Sequence, residues 1–269
     1  MPQAVAVRLP YASKVSLVPA GCFHWPHTDE EILAAWISRV KEPNTYTFLL
    51  GDTFDFARGK LRKHIHAYAG DTNSLQSIDE MVKSDIGRLA VRLEPIKDRI
   101  LGVVEGNHKW LFQDGITSEQ YLCQRLKLPY LGDMGILRLG FADGPKSGVR
   151  CVIVYLHHSG GTSGGRTHGG DLNALVRQQD VLDADVYILA HTHDTYAKVV
   201  PRWRVTKVGE PKVLERDRAF IRAGCFAKEL PYAIEKAYPP RKHGWVDTEI
   251  HFHRDSRGDT RDLRLSVRF

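Results

Sequence analysis

Five times in this chain a short apolar, β-rich run stops abruptly at a cluster of His, Asp, Asn or Cys. The clusters are Cys22-Phe23-His24, Gly51-Asp52-Thr53-Phe54-Asp55, Gly106-Asn107-His108, His157-His158 and His191-Thr192-His193. The runs ahead of them, Lys14–Ala20, Thr45–Leu50, Ile100–Val104, Arg150–Leu156 and Val186–Ala190, read as buried strands. Between them lie segments of helical period. One opens at Thr28, with Glu31 as its capping-box partner, and carries Ile32, Leu33, Trp36, Ile37 and Val40. Others run from Ser77 to about Ile96, over Thr117–Lys127 and through Leu172–Gln178, and Ile136–Phe141 pairs with Arg150–Leu156 around Asp143-Gly144-Pro145. Strands alternating with helices predict an α/β fold. In open α/β sheets the side chains beyond the carboxyl ends of neighbouring strands converge. Any one of these clusters alone would be an ordinary loop; all five after strands describe a site.

The residue types limit the chemistry. Imidazoles, a carboxylate able to bridge and a carboxamide oxygen are ligands for divalent ions. The 13 histidines among 269 residues fit the same reading, because neutral imidazole is a common metal ligand. With 42% hydrophobic and 26% charged residues the chain is not intrinsically disordered, and no run approaches the length of a membrane span. No repeat or linker divides it, so one domain over 1–269 is expected. The cysteines, Cys22, Cys123, Cys151 and Cys225, form no CxxC pair and read as reduced, and the N-terminus lacks a secretory pattern. A cytoplasmic protein is expected.

The order of the clusters resembles that of the calcineurin-like metallophosphoesterase superfamily: Asp-x-His, Gly-Asp-x-x-Asp, Gly-Asn-His-Asp/Glu, a lone His, then Gly-His-x-His. The resemblance spans residues 21–194. It implies a four-layer α/β/β/α sandwich of mixed sheets flanked by helices, the second sheet completed by C-terminal strands that include Ala219–Phe226 and Trp245–Phe252. It also implies two divalent metal ions (Zn, Fe or Mn). By position, His24 and His193 would bind the first ion, Asp52 would bridge both, and Asn107 and His191 would bind the second. The lone histidine is His157 or His158; His157 directly follows its strand. His108 matches the general acid and Asp55 the residue that orients it. The implied activity is hydrolysis of a phosphoester, a diester or nucleic acid in preference to a monoester. An activated water attacks phosphorus in line and His108 protonates the leaving oxygen.

The chain departs from that pattern at its first motif, where Cys22 stands in place of Asp. Gly21-Cys22-x-His24 is the form found in the RNA lariat debranching enzymes of the superfamily. As a thiolate ligand Cys22 would favour Zn or Fe at its site; as a small buried hydrophobe it would leave that site weakened. Lys109 replaces an acidic residue and Ala190 a glycine. His27 either reaches substrate or is a loop residue.

Substrate contacts are expected from His158 and from the Gly-rich stretch Ser159–Gly170, through Arg166 and His168. The net charge of +6 lies in the tail: residues 201–269 hold 16 basic and 10 acidic side chains. Together with the basic run Arg58–His66, the tail residues Arg202, Arg204, Lys207, Arg216, Arg218 and Arg222 suggest contact with a phosphate backbone. Trp203 and Tyr196 could stack bases or pack the sheet. No membrane partner is expected, and oligomeric state is not encoded in these patterns.

Overall fold

The computed structural model describes residues 3–10, 12–56, 64–65, 72–142, 148–157, 170–205, 210–211, 213–228, 243–254 and 260–268. Among these the strands are β1 (Gln3–Pro10), β2 (Lys14–Leu17), β3 (Thr45–Leu50), β4 (Ile100–Val104), β5 (Met134–Ala142), β6 (Gly148–Leu156), β7 (Val186–Leu189), β8 (Thr195–Val205), β9 (Val213–Ala223), β10 (Asp247–Arg254) and β11 (Thr260–Arg268). The helices are α1 (Glu30–Val40), α2 (Thr72–Leu93), α3 (Ser118–Leu126) and α4 (Gly170–Val181).

The strands form two mixed sheets. One has six strands in the order β1-β5-β6-β7-β9-β8, the other five in the order β11-β10-β2-β3-β4. Strand periodicity sets the layers. Along β3, Phe48 and Leu50 point into the core between the sheets, where they meet Leu137, Ile153, Ile188 and Ile221 of the six-stranded sheet. Leu49 points the other way, into a core shared with Leu33 and Trp36 of α1, Val82 and Leu89 of α2 and Leu122 of α3. On the far face of the six-stranded sheet, Leu175 of α4 packs with Tyr187 and Phe220. The result is the α/β/β/α sandwich expected from the sequence.

Parallel pairing gives that sandwich its functional edge. β2, β3 and β4 run parallel, as do β6, β7 and β9, so their carboxyl ends emerge together within each sheet. Of these, β4 and β7 are buried on both faces and read as continuous apolar runs.

Two expectations need correction, and one strand is added. Ala219–Phe226 and Trp245–Phe252 do not complete one sheet: β9 lies between β7 and β8 in the six-stranded sheet, whereas β10 pairs antiparallel with β2 in the other. The four-residue β2 would otherwise be a bare edge. β10 covers it, pairing Ile250 with Val15, and β11 follows as a hairpin partner. Helix α1 is capped by Asp29, not Thr28: the Asp29 carboxylate accepts from the backbone nitrogens of Glu31 and Ile32 at 2.9 and 3.2 Å. The Thr28 hydroxyl instead donates to the Phe23 carbonyl at 2.8 Å. β1, unassigned from sequence, pairs in parallel with β5 along its whole length. None of the described helices is long and apolar enough to cross a membrane.

Asp29→Ala should lower stability by about 1 kcal/mol, the usual value of an N-cap, as read by urea unfolding. Unchanged stability would contradict the cap assignment.

Candidate metal centre

The loops after β2 and β3 run side by side. Cys22 N donates to Gly51 O at 3.1 Å, His24 N to Asp52 O at 2.8 Å and Trp25 N to Thr53 O at 3.1 Å. The backbone kinks sharply where these loops leave the sheet. Cys22, His24, Asp52, His191 and His193 all have left-handed φ, between 46° and 69°. For non-glycine residues that conformation costs about 1–2 kcal/mol each, and such outliers gather at functional sites. Close backbone approach completes the arrangement. A Cβ at Gly106 would overlap the backbone nitrogen and carboxylate of Asp52. At the other sheet's edge, Gly21 yields space to the Ala190 methyl group, so the chain accommodates Ala190 by having glycine opposite it.

Two groups of ligand-type atoms result. In the first, His24 Nδ1 lies 3.3 Å from Asp55 Oδ2, and His24 Nε2 lies 3.1 Å from His193 Nε2. With the Nδ1 proton directed at Asp55, the unshared pair of Nε2 faces the His193 ring. Two nitrogens on one tetrahedral cation at about 2.0–2.1 Å would sit roughly 3.3 Å apart, close to the spacing seen. Cys22 Sγ completes this group, within 4.8 Å of both rings' ligand atoms. In the second, His157 Nδ1 lies 2.6 Å from the Leu50 carbonyl, so a neutral ring that donates there presents Nε2 as an acceptor. That Nε2 faces two oxygens, Asn107 Oδ1 at 2.9 Å and Asp52 Oδ2 at 3.0 Å. The Asp52 oxygen is buried. His191 stacks edge-on to His157 with ring centroids 5.2 Å apart, and its backbone N–H bonds the Cys22 sulfur. Cys22 also groups with Asp52 and His157, so its sulfur lies between the two sets. Asp55 joins the first set to His108, whose Nδ1 is 3.0 Å from Asp55 Oδ1.

The electrostatics follow from burial and these partners. Burial pushes the Asp52 carboxyl up, but the imidazoles of His157, His24 and His108 outweigh it and hold the carboxyl well below the usual range. Asp55 behaves alike: burial opposes, and hydrogen bonds from His108 and His24 prevail. Burial pushes the Cys22 thiol well up, and Cys225 and Asp52 add to the shift. A neighbouring cation is what would turn such a buried thiol into a thiolate.

All nine residues singled out as ligands or catalytic groups thus come together: Cys22, His24, Asp52, Asp55, Asn107, His108, His157, His191 and His193. The substrate candidates His158, Arg166 and His168 lie outside the described residues, as does most of Arg58–His66. Lys109 turns away from the cluster to pair with Glu105. His27 is an exposed loop residue. In the basic tail, Arg202, Arg216 and Arg218 pair with Asp183 and Asp185 on the outer face of the six-stranded sheet, so their charge is largely answered within the fold. Trp203 is 83% exposed and does not pack the sheet.

Sequence reasoning missed a polar layer beneath the cluster. Glu119 of α3 is fully buried, and its carboxyl is pushed up to about 7 by burial, with the charges of Asp52 and Glu105 adding and a hydrogen bond from Ser118 opposing. The available signal was an acidic residue on the apolar stripe it shares with Leu122 and Leu126.

No protein-family model and no curated protein matches the sequence. Ten chains of solved structures match. They include a conserved uncharacterised protein of Streptococcus pneumoniae described as a predicted phosphoesterase, at 11% identity and TM-score 0.38, covering 96% of this chain and 99% of that one. They also include Chaetomium thermophilum Vps29 in complex with a cyclic peptide, at 12% identity and TM-score 0.36, covering 96% and 97%. The functional reading therefore stands on the geometry of the site itself.

Gly106→Ala should destabilise the protein by about 1–3 kcal/mol, as overpacking does, measured by thermal unfolding. A neutral effect would contradict the close approach of Asp52 to residue 106.

Proposed function

We propose that the chain is a metal-dependent phosphoester hydrolase of the calcineurin-like metallophosphoesterase kind, holding two divalent cations at its strand ends. The observation that carries this reading is the face-to-face placement of acceptor atoms. His157 Nε2 meets Asn107 Oδ1 and Asp52 Oδ2, and His24 Nε2 meets His193 Nε2. The second nitrogens of His157 and His24 are turned to a backbone carbonyl and a carboxylate, the partners that metal-binding histidines carry. Cys22, His24 and His193 would hold one cation, Asn107, His157 and His191 the other, with Asp52 shared. Such a pair of cations neutralises a phosphoryl group and makes water a nucleophile near neutral pH.

The chain's own residues supply the rest. Asp55 accepts from one nitrogen of His24 and stands beside one of His108, fixing both rings. The His108 side chain is 22% exposed against 1% for His24, so it opens toward an arriving ester. From there its Nε2 proton can pass to the departing oxygen. The thiol of Cys22 would bias its site toward Zn or Fe over Mn. A diester is the reading suggested by the basic run Arg58–His66, whose charges suit a phosphate backbone. A second reading, a binding protein on a degenerate phosphoesterase fold, draws on the same Cys22, whose buried thiol stays protonated if no cation binds.

Zinc- or manganese-loaded protein should hydrolyse bis-p-nitrophenyl phosphate faster than p-nitrophenyl phosphate. Asp52→Asn should abolish turnover, and His108→Ala should lower kcat by about 10²–10⁴-fold. A strong preference for the monoester would overturn the diester assignment. Absence of bound metal and of activity with either added ion would favour the binding protein.

A further inference from the structure

Glu119 touches none of the proposed ligands, yet it sits where three of their loops meet. Its Oε1 accepts from Thr53 Oγ1 at 3.2 Å and its Oε2 from Ser118 Oγ at 2.7 Å. Ser118 Oγ accepts from Trp110 N at 3.0 Å, and Ser118 N donates to Trp110 O at 2.9 Å. This double link pins the loop carrying Asn107 and His108 to the start of α3. On the other side, Thr53 follows Asp52, and the carbonyls of these two residues accept from the backbone nitrogens of His24 and Trp25. One carboxyl group thereby joins the His24, Asp52 and Asn107-His108 segments. Glu119, Thr53 and Ser118 are each at most 2% exposed.

Stability does not account for a carboxyl group there. The charges acting on Glu119 are those of Asp52 and Glu105, which are repulsive. Leucine at 119 would extend the Leu122-Leu126 stripe, so apolar packing alone does not call for a carboxyl here. What the carboxyl provides is two directed acceptors at fixed spacing.

We propose that Glu119 is a positioning residue for the metal centre. By holding Thr53 on one side and Trp110, through Ser118, on the other, it keeps the His24, Asp52 and Asn107 loops at cation-binding spacing. The proposal rests on the two-cation reading above.

Zinc titration of the full chain by competition with a chromophoric chelator tests it, with thermal unfolding of the metal-free protein in parallel. Glu119→Leu and Thr53→Val should each weaken zinc binding by about 10–100-fold, the usual effect of losing an outer partner of a metal ligand. The double variant should be no weaker than the worse single one, because both changes break the same link. Glu119→Gln, whose amide oxygen still accepts from Thr53 but which loses the acceptor for the Ser118 hydroxyl, should fall between wild type and Glu119→Leu. Altered melting temperatures with wild-type zinc affinity would make the residue merely structural and overturn the proposal, as would additive losses in the double variant. If Glu119→Leu does not fold, wild-type affinity in Thr53→Val overturns it equally. Wild-type protein that binds no zinc would overturn the two-cation reading and this proposal with it, a failure visible in the parent chain and not only in the variants.

Discussion

Buried acceptors do not face one another without a positive charge or a proton between them. In this protein the buried His157 Nε2 lies 2.9 Å from the carboxamide oxygen of the more exposed Asn107 and 3.0 Å from a buried carboxylate oxygen of Asp52. The Leu50 carbonyl has already taken the other nitrogen's proton direction. Without a cation, His157 must be doubly protonated to satisfy the group; with one, the neutral ring suffices. The rest of the site serves that convergence. Parallel strands in both sheets deliver their ends to one edge, left-handed residues turn the side chains inward, and Gly106 lets Asp52 settle against the neighbouring loop. Five left-handed residues of the cluster at about 1–2 kcal/mol each represent strain comparable with the whole stability of a typical domain. Such strain persists because the surrounding sandwich and its hydrogen bonds over-determine the loops.

Much of the fold was legible because its signals are local. Val103-Val104 before Glu105 and Ile188-Leu189 before Ala190 are strands buried on both faces, and an apolar run followed at once by a ligand needs no knowledge of the partner strand. Helix α3 declared itself through the spacing of Tyr121, Leu122 and Leu126, and the structure adds a capping box between Thr117 and Gln120. What failed was non-local or chemically degenerate. Thr28 and Asp29 are both good caps, and only the route of the chain decides between them. The sheet that β10 joins depends on β2 being left as an edge, which no window of sequence around Asp247 records.

The site divides the same way. Its candidate ligands stand in short motifs directly after strands, so their gathering at one edge could be expected. The layer behind them could not, because Glu119, Thr53 and Trp110 are brought together only by the packing of α3 against the β3 and β4 loops. Charge was the weakest guide. Arg202, Arg216 and Arg218 look available for phosphate along the chain, but β8 and β9 place them beside Asp183 and Asp185. Composition counts charges; it does not see which are already paired.

The most direct measurement is anomalous X-ray diffraction from crystals of the zinc-loaded protein at the zinc edge. The account predicts two anomalous peaks, one bonded to His24 and His193 and one to Asn107 and His157, with the Cys22 sulfur at about 2.3 Å from zinc, as a zinc-thiolate bond requires. No peak at the strand ends, with His157 still bonded to Asn107 and Asp52, would contradict it.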